Sequence, residues 1–207
     1  MIKKFATLVV VVAALILAFA ATKPDAFRVQ RETTIKASPE KIATLVSDFH
    51  QWRAWSPWEK LDPAMQSTFS GAASGKGAIY AWSGNDKVGA GRMEITAASL
   101  PSAQTPVVGA PAVGAPLVFA PFVIAPYVIA PYVIDIQLDF LHPFKGHNIT
   151  EFTFEPRGTS TKVVWLMHGP SPYLSKLMSV FVSMDNMIGK DFEAGLASLE
   201  AVAASSH

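Results

Sequence analysis

Residues 48–60 read DFHQWRAWSPWEK, and they bring Phe49, Trp52, Trp55 and Trp58 within ten positions of one another. Rings at that density either fill a core or line a pocket. Upstream, Phe27 to Ala37 (FRVQRETTIKA) alternates, with Phe27, Val29, Thr33 and Ile35 in one phase and Arg28, Gln30, Glu32 and Lys36 in the other, the pattern of a half-buried strand. Ser38-Pro39-Glu40 then combines an N-cap, a first-turn proline and an early acid, which predicts a short helix to about Val46. The tryptophan stretch supplies a second short helix. Downstream, strand-like runs follow at Gln66–Ser70, Gly77–Ser83, Val88–Ala97, Tyr132–Leu141, Asn148–Glu155 and Thr161–His168. Pro170, Ser171 and Pro172 end the last of them. Leu174, Leu177, Phe181, Met184, Ile188, Phe192, Leu196 and Leu199 then recur at spacings of three and four, predicting one long helix to about Ala204. The order of elements is that of an α+β domain whose mostly antiparallel sheet curls around its C-terminal helix.

The element order, DFHQWRAWSPWEK itself, GNDKVGAGRMEIT (Gly84–Thr96), the HGP that ends the last strand (His168–Pro170) and GKDFEAGLASLE (Gly189–Glu200) together resemble the SRPBCC superfamily. That superfamily includes START-like lipid-transfer domains, the birch-pollen allergen fold and the polyketide cyclase/dehydrase group. The resemblance spans Phe27 to about Ala203 except for an insertion, and W-x-x-W-S-P-W is its most specific part. It implies a helix-grip fold, with about seven strands wrapped around a long C-terminal helix, two short helices after the first strand and a deep apolar cavity. It implies a reaction far less firmly.

The composition narrows the function classes. In 207 residues the formal net charge is +1, and Lys and Arg are spread along the chain, so no basic footprint for nucleic acid is present. Cysteine is absent, which removes disulfides, thiol nucleophiles and thiolate metal sites. Half of the residues are hydrophobic and 16% are charged, more apolar than a typical soluble domain. Two segments account for the excess.

The first is N-terminal. Lys3 and Lys4 precede an uncharged run from Phe5 to Ala21, followed by Lys23 and Pro24. At about 1.5 Å per helical residue this run reaches roughly 25 Å, longer than most signal-peptide cores. Its length and its Val, Leu and Ile content favour an uncleaved anchor over residues 1–22, while Ala18-Phe19-Ala20 offers a small-x-small site for cleavage after Ala20, which would give a secreted form. In either case the N-terminal lysines stay cytoplasmic, placing the domain (residues 27–204) on the extracytoplasmic, periplasmic side.

The second is a repeat. From Thr105 to Ile134 the chain reads TPVVG, APAVG, APLVF, APFVI, APYVI, APYVI. A proline every fifth residue forbids a regular helix or a central strand. No Lys, Arg, Asp or Glu occurs from Ile95 to Ile134, so the insertion at about residues 101–131 is not a solvated polar linker. Only the last unit alternates onward into a strand, through Tyr132, Ile134, Ile136, Leu138 and Phe140. Tandem duplication of that strand's start explains the rest without a task. A membrane-contact loop through Phe119, Phe122, Tyr127 and Tyr132, or a partner-binding strip, are the alternatives.

Few residues carry chemistry. Gly84 to Gly91 (GNDKVGAG) lacks the Lys-Ser/Thr of a phosphate loop and the third glycine of a dinucleotide fingerprint, and reads instead as a hairpin turn. His142 and His147 flank a turn with no carboxylate at ligand spacing, so no metal is expected, and no G-x-S-x-G elbow is present. No cofactor is expected. The candidate cavity residues are Trp52, Trp55, Trp58, Tyr80, Trp82, Met93, Phe140, Trp165, Met167, Phe181 and Met184, each of which could equally be core. Three polar residues share inward strand phases. Asn148 and Thr150 run with Phe152 and Phe154. Arg31 runs with Val29 and Ile35, and it either pairs with an acid on the closing helix, such as Asp191 or Glu193, or meets a ligand's polar head.

The reading that follows is a membrane-tethered module that binds a hydrophobic or amphipathic small molecule, such as a lipid, isoprenoid or polyketide-like compound, in an internal cavity. A cyclase or dehydratase would add an acid or base facing the cavity. A protein-interaction domain, like the chaperone activators related to this superfamily, would have a filled core and an exposed patch.

Overall fold

The alternation of Phe27 to Ile35 is realised as strand β1 (Ala26–Ile35), whose Val29 and Ile35 are buried. In the computed structural model, which describes residues 2–99 and 131–205, β1 leads into helix α2 (Pro39–Ser47), where the Ser38 hydroxyl accepts from the Lys41 amide at 3.4 Å. Asp48 ends α2 and accepts from the His50 amide at 2.9 Å, which starts a 3-10 turn over Phe49–Gln51. One turn of helix α3 (Trp52–Trp55) and a second 3-10 turn (Trp58–Lys60) complete the tryptophan stretch.

Six strands follow: β2 (Gln66–Gly71), β3 (Ala78–Ser83), β4 (Ala90–Ser99), β5 (Tyr132–His142), β6 (Gly146–Arg157) and β7 (Ser160–Pro170). With β1 they form one seven-stranded sheet in the order β1-β7-β6-β5-β4-β3-β2, antiparallel throughout. Helix α5 (Met184–Ser205) lies against β1, α2 and α3. This is the helix-grip α+β fold. GNDKVG (84–89) forms the β3–β4 turn, with Asn85 Oδ1 accepting from the Lys87 amide at 2.9 Å. Gly89 there has φ +63 and packs on the backbone of His142, so a side chain would be excluded twice over.

Where a single C-terminal helix is expected, the chain makes two. Helix α4 (Tyr173–Met178) stops, residues 179–183 form turns, and α5 begins afresh at Met184. The Ser183 hydroxyl accepts from the Asn186 amide at 3.3 Å and Asp185 stands in the first turn, a start signal that the continuous apolar spacing obscures.

Antiparallel pairing sorts the connections to two ends of the sheet. One end holds the start of β1, the end of β7 (Ala26 faces Pro170), the β5–β6 turn and the β3–β4 turn. The other holds the β1–α2 connection, the β6–β7 turn, and Ser99 and Pro131, between which most of the repeat is inserted. The repeat through Ala130, and with it the membrane-loop and duplication readings, lies outside the described residues. Tyr132-Val133-Ile134, its last three positions, open β5.

Preceding the domain, Ile2–Ala21 forms α1, the one described helix long and apolar enough to cross a membrane. It packs on α4.

Candidate functional site

Between the concave face of the sheet and α5 lies a cavity of about 560 Å³. Its construction starts with the tryptophan stretch. The carbonyls of the last turn of α2 accept two indoles, Trp52 Nε1 to Val46 O at 2.9 Å and Trp55 Nε1 to Leu45 O at 3.1 Å. Of the two rings, only Trp52 reaches the cavity. Trp55 is fully buried behind it, edge-on to Phe152 and Trp165, which corrects its assignment as a cavity residue. Trp58, after the break at Ser56-Pro57, meets Trp165 and Phe192 edge-on, with ring centroids 5.7 and 6.4 Å away.

Trp165 and Phe192 stack at 4.1 Å, closing the inner end of the cavity. A Cβ at Gly195 would come within 2.7 Å of Trp165, so this glycine lets α5 settle onto the ring. Trp82 lies across its cross-strand partner Gly91 and donates to the Val88 carbonyl at 3.0 Å, which holds it as part of the wall. Tyr80, Met93, Phe140, Met167 and Met184 also line the space, as do Leu138, Met187 and Ile188.

Polar groups are sparse and unevenly placed. Asn148 and Thr150 are 8% and 5% exposed and point from β6 into the cavity wall. Among the described residues neither side chain has a hydrogen-bond partner. Trp165 Nε1 is likewise buried without a partner. An unpaired buried polar group costs about 1–3 kcal/mol, which the fold tolerates where a bound molecule can supply the missing bond. Tyr80 donates to Glu59 at 2.6 Å, and burial together with that carboxylate raises the phenol's pKa. Asp191 also lines the cavity; burial pushes its carboxyl upward, opposed by a hydrogen bond from Trp58.

Two further candidates fall elsewhere. Phe181 lies in the link between α4 and α5 and is 71% exposed, because the helix expected to carry it inward is broken there. Arg31 does face inward from β1, but α5 covers it: its guanidinium meets Asp185 at 3.0 Å and Glu193 at 2.7 Å. Those two hydrogen bonds raise its pKa, the Asp185 bond first. Asp185, Gly189 and Glu193 recur every four residues along one stripe of α5, and Gly189 leaves room for the guanidinium, since a Cβ there would overlap it. Asp191, offered in the sequence as an alternative partner, sits two residues from Gly189 and therefore on the opposite face. That rotation carries it into the cavity.

Asp191, Glu59, Met187 and Phe192 are among the wall residues that sequence reasoning missed. The signal for Asp191 was present: Met184, Met187, Ile188 and Asp191 share one helical stripe, and Asp191 is its only charge. At the mouth stand Lys87, Phe144, Lys145 and His147. His147 does have a carboxylate neighbour, its cross-strand partner Asp139, with Nδ1 and Oδ1 2.6 Å apart. Among the described residues no group of three or more His, Asp and Glu side chains is placed to hold a metal ion.

The sequence matches no family model and no curated protein. Solved structures share the fold. A hypothetical protein of Helicobacter pylori superposes with a TM-score of 0.57 at 10% identity, over 89% of this chain and 92% of its own. An uncharacterised protein of Rhizobium leguminosarum gives 0.53 at 13% identity, over 87% and 96%. The protein Ara h 8.0201 gives 0.50 at 14% identity, over 87% and 99%. These likenesses show a shared fold, the helix-grip α+β arrangement of a seven-stranded antiparallel sheet with a long C-terminal helix.

Proposed function

We propose that this chain is a membrane-tethered member of the SRPBCC superfamily that binds a hydrophobic or amphipathic small molecule, of lipid, isoprenoid or polyketide-like kind, in the cavity between sheet and α5. The observation that carries the reading is the cavity itself: about 560 Å³, walled by aromatic and methionine side chains, with a few unpaired polar groups. Apolar burial at about 25 cal/mol per Å² supplies the affinity, and polyvalent methionine and indole surfaces suit ligands of varied shape. Asn148 and Thr150 orient a polar end from the sheet. The tether is α1, whose Ala20, within the small-x-small motif, is fully buried. The domain then faces the extracytoplasmic side, by the lysines at its N-terminus.

Native mass spectrometry of the full chain released from its own membrane tests this. A reproducible co-purifying apolar molecule is expected, and it is expected to be lost on filling the cavity with Thr150→Trp. A protein that is always empty and accepts no lipid overturns the reading.

Asp191 favours a second reading. A carboxyl of raised pKa on an apolar wall is what a cyclase or dehydratase requires of its general acid or base. If the cavity catalyses such a step, Asp191→Asn abolishes turnover of a bound polyketide-like substrate while leaving its binding intact.

A further inference from the structure

We propose that the rim of the cavity formed by α4, residues 179–183 and the first turn of α5 is a membrane-docking surface, seated in the same bilayer that α1 crosses, so that the cavity opens directly onto lipid. The proposal rests on the reading of α1 as an anchor and deepens that of the cavity by naming the source of its ligand.

The dimensions leave the domain little freedom to stand off. Helix α1 has 20 residues, about 30 Å at 1.5 Å per residue, of which the uncharged run from Phe5 to Ala21 reaches about 25 Å, so crossing the hydrocarbon of a bilayer uses all of it. Only residues 22–25 separate it from β1, a reach of at most about 14 Å. The junction is also fastened. The Tyr173 hydroxyl donates to the Leu17 carbonyl at 2.9 Å, inside the last two turns of α1, and the buried Lys176 pairs with Asp25 in the connection. Tyr173 therefore sits at the depth where tyrosine is enriched in membrane proteins, the boundary between acyl chains and headgroups.

The surface continuing from that point is apolar. Leu177 to Met184 carries no charge, and Met178, Phe181 and Val182 are 53%, 71% and 53% exposed. A contiguous patch of this kind is rare on a monomer surrounded by water. Across the mouth, Phe144 is 61% exposed at the β5–β6 turn, beside Lys145. Neither Lys145 nor Lys87 has an ion-pair partner among the described residues, which suits them to lipid phosphates. Ser175 of α4 and Met184, the first residue of α5, both line the cavity, so the two ends of the apolar segment reach the mouth.

The chain has no cysteine, so single labels are clean. Phe181→Cys, Phe144→Cys and, at the far end of the sheet, Thr159→Cys would each carry an environment-sensitive fluorophore on the full-length protein. These proteins would be reconstituted into phosphatidylcholine–phosphatidylglycerol vesicles containing acyl-chain quenchers. Several-fold stronger quenching at 181 and 144 than at 159 is expected. Equal quenching at all three sites overturns the proposal. So does protection of position 181 from an aqueous quencher without lipid quenching, which would mean that a protein covers the patch. Mass spectrometry on the same preparations separates the two readings: lipid in the cavity without quenching at 181 removes the docking surface and keeps the binding site, and quenching at 181 with an empty cavity does the reverse.

Discussion

At the end of the sheet where β1 turns into α2, Tyr132 is 6% exposed and donates to Glu40 at 2.5 Å, and Phe152, Phe154, Ile134 and Ile42 fill the space behind it. At the other end of the same strands, Phe140 and Leu138 face open volume, and Asn148 stands where a hydrophobe would complete a core. Strands β5 and β6 run through both regions with one unbroken register. The difference is made by what lies across from them. The closed end is capped by α2 and the C-terminal half of α5, whereas the open end faces the start of α5 through Met184, Met187 and Ile188, and the break at 179–183 leaves Phe181 exposed. One sheet thus holds a packed half and a half that faces open volume, and the packed half carries the stability.

The sharpest way to break that division is to truncate one phenylalanine in each half. Phe154→Ala, at a fully buried site, is expected to cost about 3–5 kcal/mol in urea unfolding, the lost burial plus the cavity it leaves. Phe140→Ala is expected to cost under about 1 kcal/mol, since the cavity already adjoins that ring, and to weaken ligand binding instead. Equal losses of stability would mean that the open end is core after all.

Much of this was readable beforehand, and for one reason. Strands with a buried face advertise it by alternation, so β1 and β5 to β7 fall where their patterns place them, and Asn148 and Thr150 face inward as their phase requires. What alternation and helical spacing cannot reveal is which side of a packed group a ring ends on. Trp52, Trp55 and Trp58 are equivalent in sequence; the Leu45 and Val46 carbonyls of α2 separate the first two, sending one to the cavity and one behind it. The inward phase of Arg31 calls for an acid or a ligand's polar head, but pairing it with Glu193 and Asp185 rather than Asp191 depends on how α5 is rotated about its axis, which Gly189 sets by making room at β1. The helix break was masked because Leu177, Phe181 and Met184 keep helical spacing across it.

A smaller effect sharpens the polar side of the comparison. Asn148→Leu keeps the branched shape and removes the unpaired amide beside open volume, so the fold should be unchanged or slightly more stable. Affinity for an amphipathic ligand should fall about tenfold, or about 1.4 kcal/mol, by titration, with a purely apolar ligand unaffected. If both ligands respond alike, Asn148 does not read a polar group.

At the closed end the corresponding polar contact is paired, and its pH dependence tests that. Burial and the Glu40 carboxylate push the Tyr132 phenol up to about 12, while the hydroxyl holds Glu40 below the usual carboxylate range. The phenol's contribution is complete below the unfolded value near 10 and is lost as pH rises through about 12; that of Glu40 is complete above its unfolded value near 4.5 and is lost on acidification through its lowered one. Tyr132→Phe should cost about 1 kcal/mol at neutral pH and flatten the stability profile at both extremes, measured by denaturant midpoints across pH. A profile identical to that of the parent would place the pH dependence elsewhere.

The least effect is expected where the sequence is strangest. Ser99 and Pro131 sit at the closed end of the sheet, away from the mouth and from the fastening of α1 to α4. Removing Ala110 to Ile129 should therefore leave ligand binding untouched. Stability should rise by no more than about 1 kcal/mol, because closing a shorter loop costs less entropy and the cost grows only logarithmically with length. If the deletion unfolded the domain or emptied the cavity, the repeat would be part of the closed end's packing rather than a duplication that the sheet carries without cost.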